Sequence, residues 1–259
     1  MLECALWATI ALVALHAYPM EMPGWSNWGL LALGALLFSV GTFVNGACAF
    51  GMVGRFGNGE FEYLLGFVGI YFGVSLAEFF AIAARASPAT VPEPFASPVL
   101  VALLLCSLIV LRHFAGHHRG GAFLQLTVIM AAVGVIFVAI GEAEPTWPLT
   151  AIIATAPFVP IAALVIAVCM MAGTVISGAT SGRRFRLVPP TFRGMIRRIV
   201  GGAMMGGGAA LVPGSNDSLL LFGLASGSLQ AVAAYGILVV TIATLTAIFG
   251  SSARPWTSL

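Results

Sequence analysis

Two short stretches hold the residues with chemistry to offer. The first is Asn45-Gly46-Ala47-Cys48-Ala49-Phe50-Gly51, and the second is Pro213-Gly214-Ser215-Asn216-Asp217. Each ends a long apolar, glycine-rich run. The Cys48 thiol, the Asn45 and Asn216 amides and the Ser215 hydroxyl are all hydrogen-bond donors. Gly46 and Gly214 leave backbone N–H groups open to close approach. Donors of this kind suit a small, soft anion, and an adjoining helix N-terminus adds to the preference for negative charge. Asp217 opposes an anion unless it is protonated, caps a following helix or supports the turn. A simpler account makes both stretches surface turns and Cys48 a small inert hydrophobe.

What must position these residues follows from composition. The chain has 259 residues, 60% of them hydrophobic and 8% charged. A soluble domain needs about a quarter of its residues charged, so the solvent of this chain is mostly lipid. Apolar runs of about 20 residues recur, the length a helix needs to cross a bilayer. They are continuous rather than alternating, which argues against a β-barrel. Cys4, Cys48, Cys106 and Cys169 lie in or beside these runs, so no disulfide framework is expected. No basic groove with interleaved aromatics speaks for nucleic acid.

The runs predict about eight crossings: residues 2–18, 28–44, 63–83, 98–111, 123–140, 149–177, 199–212 and 229–249. The 2–18 run starts with Glu3 and lacks a basic n-region, so it reads as a retained helix rather than a signal peptide. Pro157 and Pro160 interrupt the sixth run and predict a kink or a separate half-helix. Placing Arg112–Arg119 and Arg183–Arg198 in the cytoplasm puts Glu21, Glu93, Glu142 and Glu144 outside and both termini inside. Every arginine except Arg85 then lands on the cytoplasmic side or at its edge.

Sliding residues 34–59 onto 202–227 aligns Gly34 with Gly202, Ala35 with Ala203, Val44 with Val212, Gly46 with Gly214 and Gly59 with Gly227. In the predicted topology the two units, about 28–83 and 198–250, run in opposite directions. An inverted repeat of this kind commonly builds a transport site from interrupted helices. Non-helical backbone at membrane depth is tolerated only against protein or a wet cavity. The 45–62 and 213–228 loops are therefore expected to dip in from opposite faces and converge, bringing Cys48 opposite Asn216.

Other residues offer less. Glu78 lies near the outer end of the third run, where a carboxylate snorkels or serves function. His113, His117 and His118 lack a cysteine or carboxylate in the same loop, so no metal site is expected. Met170-Met171 and Met204-Met205 read as packing. Gly51, Gly54, Gly57 and Gly59 lack the strand-turn-helix setting of a dinucleotide fingerprint. No triad-like arrangement argues for an enzyme, and no cofactor is implied.

The run Gly41-Thr42-Phe43-Val44-Asn45-Gly46-Ala47-Cys48-Ala49-Phe50-Gly51, with Arg55 after it, resembles the YeeE/YedE family of sulfur-transport membrane proteins. So does Gly201-Gly202-Ala203-Met204-Met205-Gly206-Gly207-Gly208-Ala209-Ala210-Leu211-Val212-Pro213-Gly214-Ser215-Asn216-Asp217. The resemblance implies an hourglass-shaped, inverted-repeat protein that takes up thiosulfate and hands it along cysteines by S–H···S hydrogen bonds. It also implies a small cytoplasmic sulfur-carrier protein as receiver. Cys48 matches the cysteine of the first motif. Where thiosulfate transporters carry a Gly-Cys pair in the second, this chain has Asn216 after Gly214-Ser215, which leaves another sulfur species or another small anion open.

The expectation is thus a single all-α polytopic membrane domain over residues 1–259, in the bacterial inner membrane. Its path for a small sulfur-containing inorganic anion would be lined by Cys48, Asn216, Asn45, Gly46, Gly214, Ser215 and Asp217. A membrane partner that docks a cytoplasmic protein through Arg183–Arg198, or an intramembrane redox enzyme using Cys48, are the competing classes.

Overall fold

A computed structural model describes residues 27–80, 98–114, 121–143, 159–180, 187–212 and 228–249, together with 7–8, 10–11, 24–25, 88–89, 152–153, 219 and 223. The described residues are mostly helical, joined by short turns, with one short strand pairing. The helices are α1 (Trp28–Asn45), α2 (Ala49–Gly57), α3 (Leu64–Phe79), α4 (Pro98–Phe114), α5 (Gly121–Ala143), α6 (Ile161–Thr180), α7 (Phe192–Leu211) and α8 (Leu229–Phe249). A 3-10 turn, Phe61–Tyr63, leads into α3. The exception to helix is an antiparallel pairing of Gly24–Trp25 with Pro88–Ala89.

Four segments among the described residues are long and apolar enough to cross a membrane: Trp28–Gly57, Phe61–Phe79, Ile161–Thr180 and Leu229–Phe249. The protein is therefore membrane-embedded. Of the other expected crossings, 98–111 and 123–140 coincide with α4 and α5, and the 2–18 run lies mostly outside the described residues. The 199–212 run falls within α7, which starts seven residues earlier and carries Arg193, Arg197 and Arg198 in its first two turns.

Local chemistry sets the helix ends. Asn27 caps α1, its side chain accepting from Gly29 N at 3.0 Å and Leu30 N at 3.2 Å. Such a cap stabilises a helix by about 1 kcal/mol. Gly46 ends α1 in the left-handed region, φ 78°, with its N–H donating to Thr42 O. That conformation suits a residue without Cβ. Thr191 caps α7 by accepting from Gly194 N at 3.1 Å. The α6 helix starts directly after Pro160, the interruption expected there; Pro157 lies outside the described residues.

Packing centres on α7, which is held between α1 and α3. Its glycines let backbones touch. A Cβ on Gly41 would fall 2.6 Å from Met205 N and 2.7 Å from Gly201 O, and one on Gly208 would fall 2.5 Å from Phe38 N. Along α1 the α7 partners run backwards: Gly34 meets Leu211, and Asn45 meets Gly201. Along α3 they run forwards, from Gly66 at Gly202 to Gly73 at Gly207. So α7 is antiparallel to α1 and parallel to α3. The α8 helix lies parallel to α1: Leu31 and Ala35 share a buried cluster with Ala231 and Ala234, and the Phe43 and Phe249 rings sit 6.2 Å apart. Of the three arginines of α7, Arg193 and Arg197 are exposed and Arg198 is buried where its neighbours enclose the helix.

The 45–62 stretch, expected as a polar loop, contains α2. Ala49, Met52, Val53 and Gly57 of α2 are buried, and Met52 joins Phe38, Ile70, Met205 and Leu238 in the main core. The α2 C-terminus packs on α6, where a Cβ on Gly57 would lie 2.7 Å from Thr174. Most large side chains of α6 face outward, Ile161, Leu164, Val165, Val168 and Ile176 among them. That is the surface lipid requires.

Candidate functional site

The break between α1 and α2 is built by four residues. Asn45, the last residue of α1, is 0% exposed. Its Nδ2 donates to Ala47 O at 2.7 Å and staples the turn shut. That bond fixes the amide's orientation, leaving Oδ1 buried with no hydrogen-bond partner among the described residues. Gly46 takes the positive φ. Cys48 is the N-cap of α2, in extended conformation, and its side chain makes no cap hydrogen bond. The first amides of α2 thus lack the usual side-chain acceptor and favour a negative charge nearby.

Cys48 is half-buried, and its Sγ lies over the first turn of α2, 3.7 Å from where a Cβ on Gly51 would stand. Across from it is α8. Ala47 and Ala49, which flank Cys48 in the chain, pack in the same cluster as Leu238 and Ile242. The first motif therefore packs in one cluster with α8, in the second half of the chain.

Next to the break is a cluster of charges. Arg198 is 8% exposed. Its Nη2 and Nε donate to Glu62 Oε1 at 2.9 and 3.2 Å, and its guanidinium lies 3.7 Å from the centre of the Tyr63 ring. Arg198 Nη1 is buried and has no hydrogen-bond partner among the described residues. An unsatisfied donor of a charged group in such a place costs more than the ~1–3 kcal/mol of a neutral one. Arg197 Nε donates to Val44 O near the α1 C-terminus, where helix carbonyls attract a cation. Arg55 pairs with Glu60 at 2.9 Å, more exposed than the Arg198 pair.

Gly46 links break and cluster. The three atoms nearest to a Cβ placed on it are Arg198 Nη1 at 3.2 Å, the Tyr63 hydroxyl at 3.6 Å and Arg197 Nη2 at 3.9 Å. Three donor groups from two helices point at one glycine. Expected as topology-setting loop charges, Arg197 and Arg198 instead belong to α7. The sequence signal was their direct junction with the apolar Ile199-Val200; a matching signal was Glu60-Phe61-Glu62-Tyr63 at the head of an apolar helix. The Arg198–Glu62 pairing itself joins residues 136 positions apart and is visible only in three dimensions.

Of the expected path residues, Asn45, Gly46 and Cys48 come together at the break. Gly214, Ser215, Asn216 and Asp217 lie outside the described residues, and so does the expected approach of Cys48 to Asn216. The described flanks of that second stretch, Val212 and Leu219, are buried in one cluster with Leu31 and Ala35. Gly34, which meets Val212, stands about 16 Å along α1 from Asn45 at 1.5 Å per residue. Glu78 is exposed in the last turn of α3 and His113 is exposed in α4, while His117 and His118 lie outside the described residues. No group of three or more metal-ligating side chains occurs among the described residues. Met205 is fully buried, and Met170 and Met171 pack against its cluster. The chain matches no known protein-family model and no curated protein.

Proposed function

We propose that this protein carries a small sulfur-containing inorganic anion, thiosulfate-like in size and charge, across the bacterial inner membrane. One observation carries the reading: a helix interrupted inside a buried helical core, with the Cys48 thiol, the uncapped start of α2 and the buried, unpaired Arg198 Nη1 gathered at the interruption. A membrane protein has little reason to hold such groups in its core unless they serve a ligand or an ion path. The Cys48 thiol, the uncapped α2 amides and the guanidinium groups replace hydration lost by an anion entering the break. Their number and weak individual strength allow the anion to leave again.

The architecture proposed with it is an inverted repeat of about 28–83 and 198–250 within about eight crossings, both termini cytoplasmic. Helix directions support it. The repeat pairs α1 with α7 and α3 with α8, and each pair runs antiparallel. Exchanging the halves carries the parallel contact of α1 with α8 onto the parallel contact of α7 with α3. Asn216 would then approach the path from the second half, as Cys48 does from the first.

The test is uptake of labelled thiosulfate into cells lacking other routes. Wild-type protein should support uptake, and Cys48→Ala and Asn216→Ala should each reduce it about tenfold or more, the loss of a donor to a charged ligand. Unchanged uptake in both variants would remove the proposed path. For the competing reading, docking of a cytoplasmic protein through Arg183–Arg198, Arg198 is buried and Arg197 is bonded to α1, Arg193 is exposed, and Arg183, Arg184 and Arg186 lie outside the described residues.

A further inference from the structure

We propose that the corner formed by Gly46, Tyr63, Arg197 and Arg198 is a second anion-binding site, for a small inorganic oxyanion, at the arginine-rich end of α1. Its ligand class rests on the transport reading above, but the site follows from its own geometry. Gly46 has no side chain, and the atoms crowding the place where one would stand are all donors: Arg198 Nη1 at 3.2 Å, Tyr63 Oη at 3.6 Å and Arg197 Nη2 at 3.9 Å. Two of the three are guanidinium nitrogens, which can only donate, and the tyrosine hydroxyl can donate as well. Such a set complements an oxyanion, and arginine's planar fork matches that ligand.

Charge points the same way. Glu62 neutralises Arg198 through Nη2 and Nε, and Glu60 is paired with Arg55. Arg197 is paired with no carboxylate among the described residues; its partner is the backbone carbonyl of Val44. The corner therefore carries one positive charge in excess, close to a buried Nη1 with nothing to donate to. Burial gives the two arginines different tasks. Arg198, stacked on Tyr63, is the fixed floor of the site. Arg197 is exposed and forms its mouth. The ring of Tyr63 holds the guanidinium plane so that Nη1 faces Gly46 while the other two nitrogens face Glu62.

The experiment is equilibrium binding of radiolabelled thiosulfate, and separately sulfate, to the purified full-length protein in detergent. Wild type should bind at least one of them, more weakly as salt is raised. Arg198→Gln breaks the ion pair and risks misfolding, so the decisive protein is the double variant Arg198→Gln with Glu62→Gln, which removes both charges together. It should retain its helical circular dichroism and elution volume and lose binding tenfold or more. Arg197→Gln should weaken binding less, about threefold to tenfold. A folded double variant that binds like wild type overturns the proposal, as does a wild type that binds neither anion at millimolar concentration. Uptake assays separate the two readings. Arginine-dependent binding without any uptake leaves this site standing and removes the transport function. Cys48-dependent uptake with arginine-independent binding does the reverse.

Discussion

Gly46 and Arg198 each tolerate little change, for different reasons. At φ 78°, an alanine at position 46 is strained by about 1–2 kcal/mol, and its methyl would meet Arg198 Nη1. Gly46→Ala should lower stability by about that amount, read as an earlier thermal unfolding in detergent. Removing one partner of the Arg198–Glu62 pair leaves a buried charge alone, so Arg198→Met should cost about 3–5 kcal/mol. Adding Glu62→Met should recover much of that loss. A double-variant stability no better than the single would mean that the pair is screened by water and the arginine is not held as described. Sequence made the break legible at this scale: Asn45, Gly46 and Cys48 are of the types such a turn uses. It did not reveal that Arg198 and Tyr63 face Gly46, since neither is near it in the chain.

Among the elements, α7 is a glycine-faced rod gripped by α1 and α3, and position decides what each glycine tolerates. Gly41→Leu or Gly208→Leu inserts a side chain where backbone already stands within 3 Å. Overpacking costs typically about 1–3 kcal/mol, more where backbone must move, so both should reduce the folded yield and melting temperature. Gly173→Leu and Gly236→Leu meet nothing within 4 Å and should change stability by less than about 0.5 kcal/mol. Equal effects at all four positions would contradict the packing. The helix lengths of α1 and α8 were readable from hydropathy almost to the residue. The α2 helix was not, because its nine residues include three glycines and an arginine. Its burial against α6 overrides that weak propensity.

For the whole molecule, the described contacts place ends on sides. Val188 N donates to Gly59 O at 3.2 Å, which sets the α2–α3 turn and the approach to α7 at one end of the bundle. The pairing of Gly24–Trp25 with Pro88–Ala89 joins the segments at the opposite end of α1 and α3. In a background with the native cysteines replaced by serine, Asn58→Cys and Thr191→Cys should react with a membrane-impermeant maleimide from the same face. Ala89→Cys should react from the other. On the topology proposed above, the first face is the cytoplasmic one. Labelling of residues 58 and 191 from different faces would refute the arrangement.

By itself the sequence determined that this is a helical membrane protein and that α1 breaks at Asn45–Cys48. Those properties follow from local composition and periodicity, which act over a few residues at a time. The tertiary structure decided that α7 runs antiparallel to α1, that α8 packs in the cluster that flanks Cys48, and that Arg198 is buried on Tyr63 with one nitrogen left over. Such contacts join residues over a hundred positions apart. They depend on which glycine faces meet, and no local pattern encodes that.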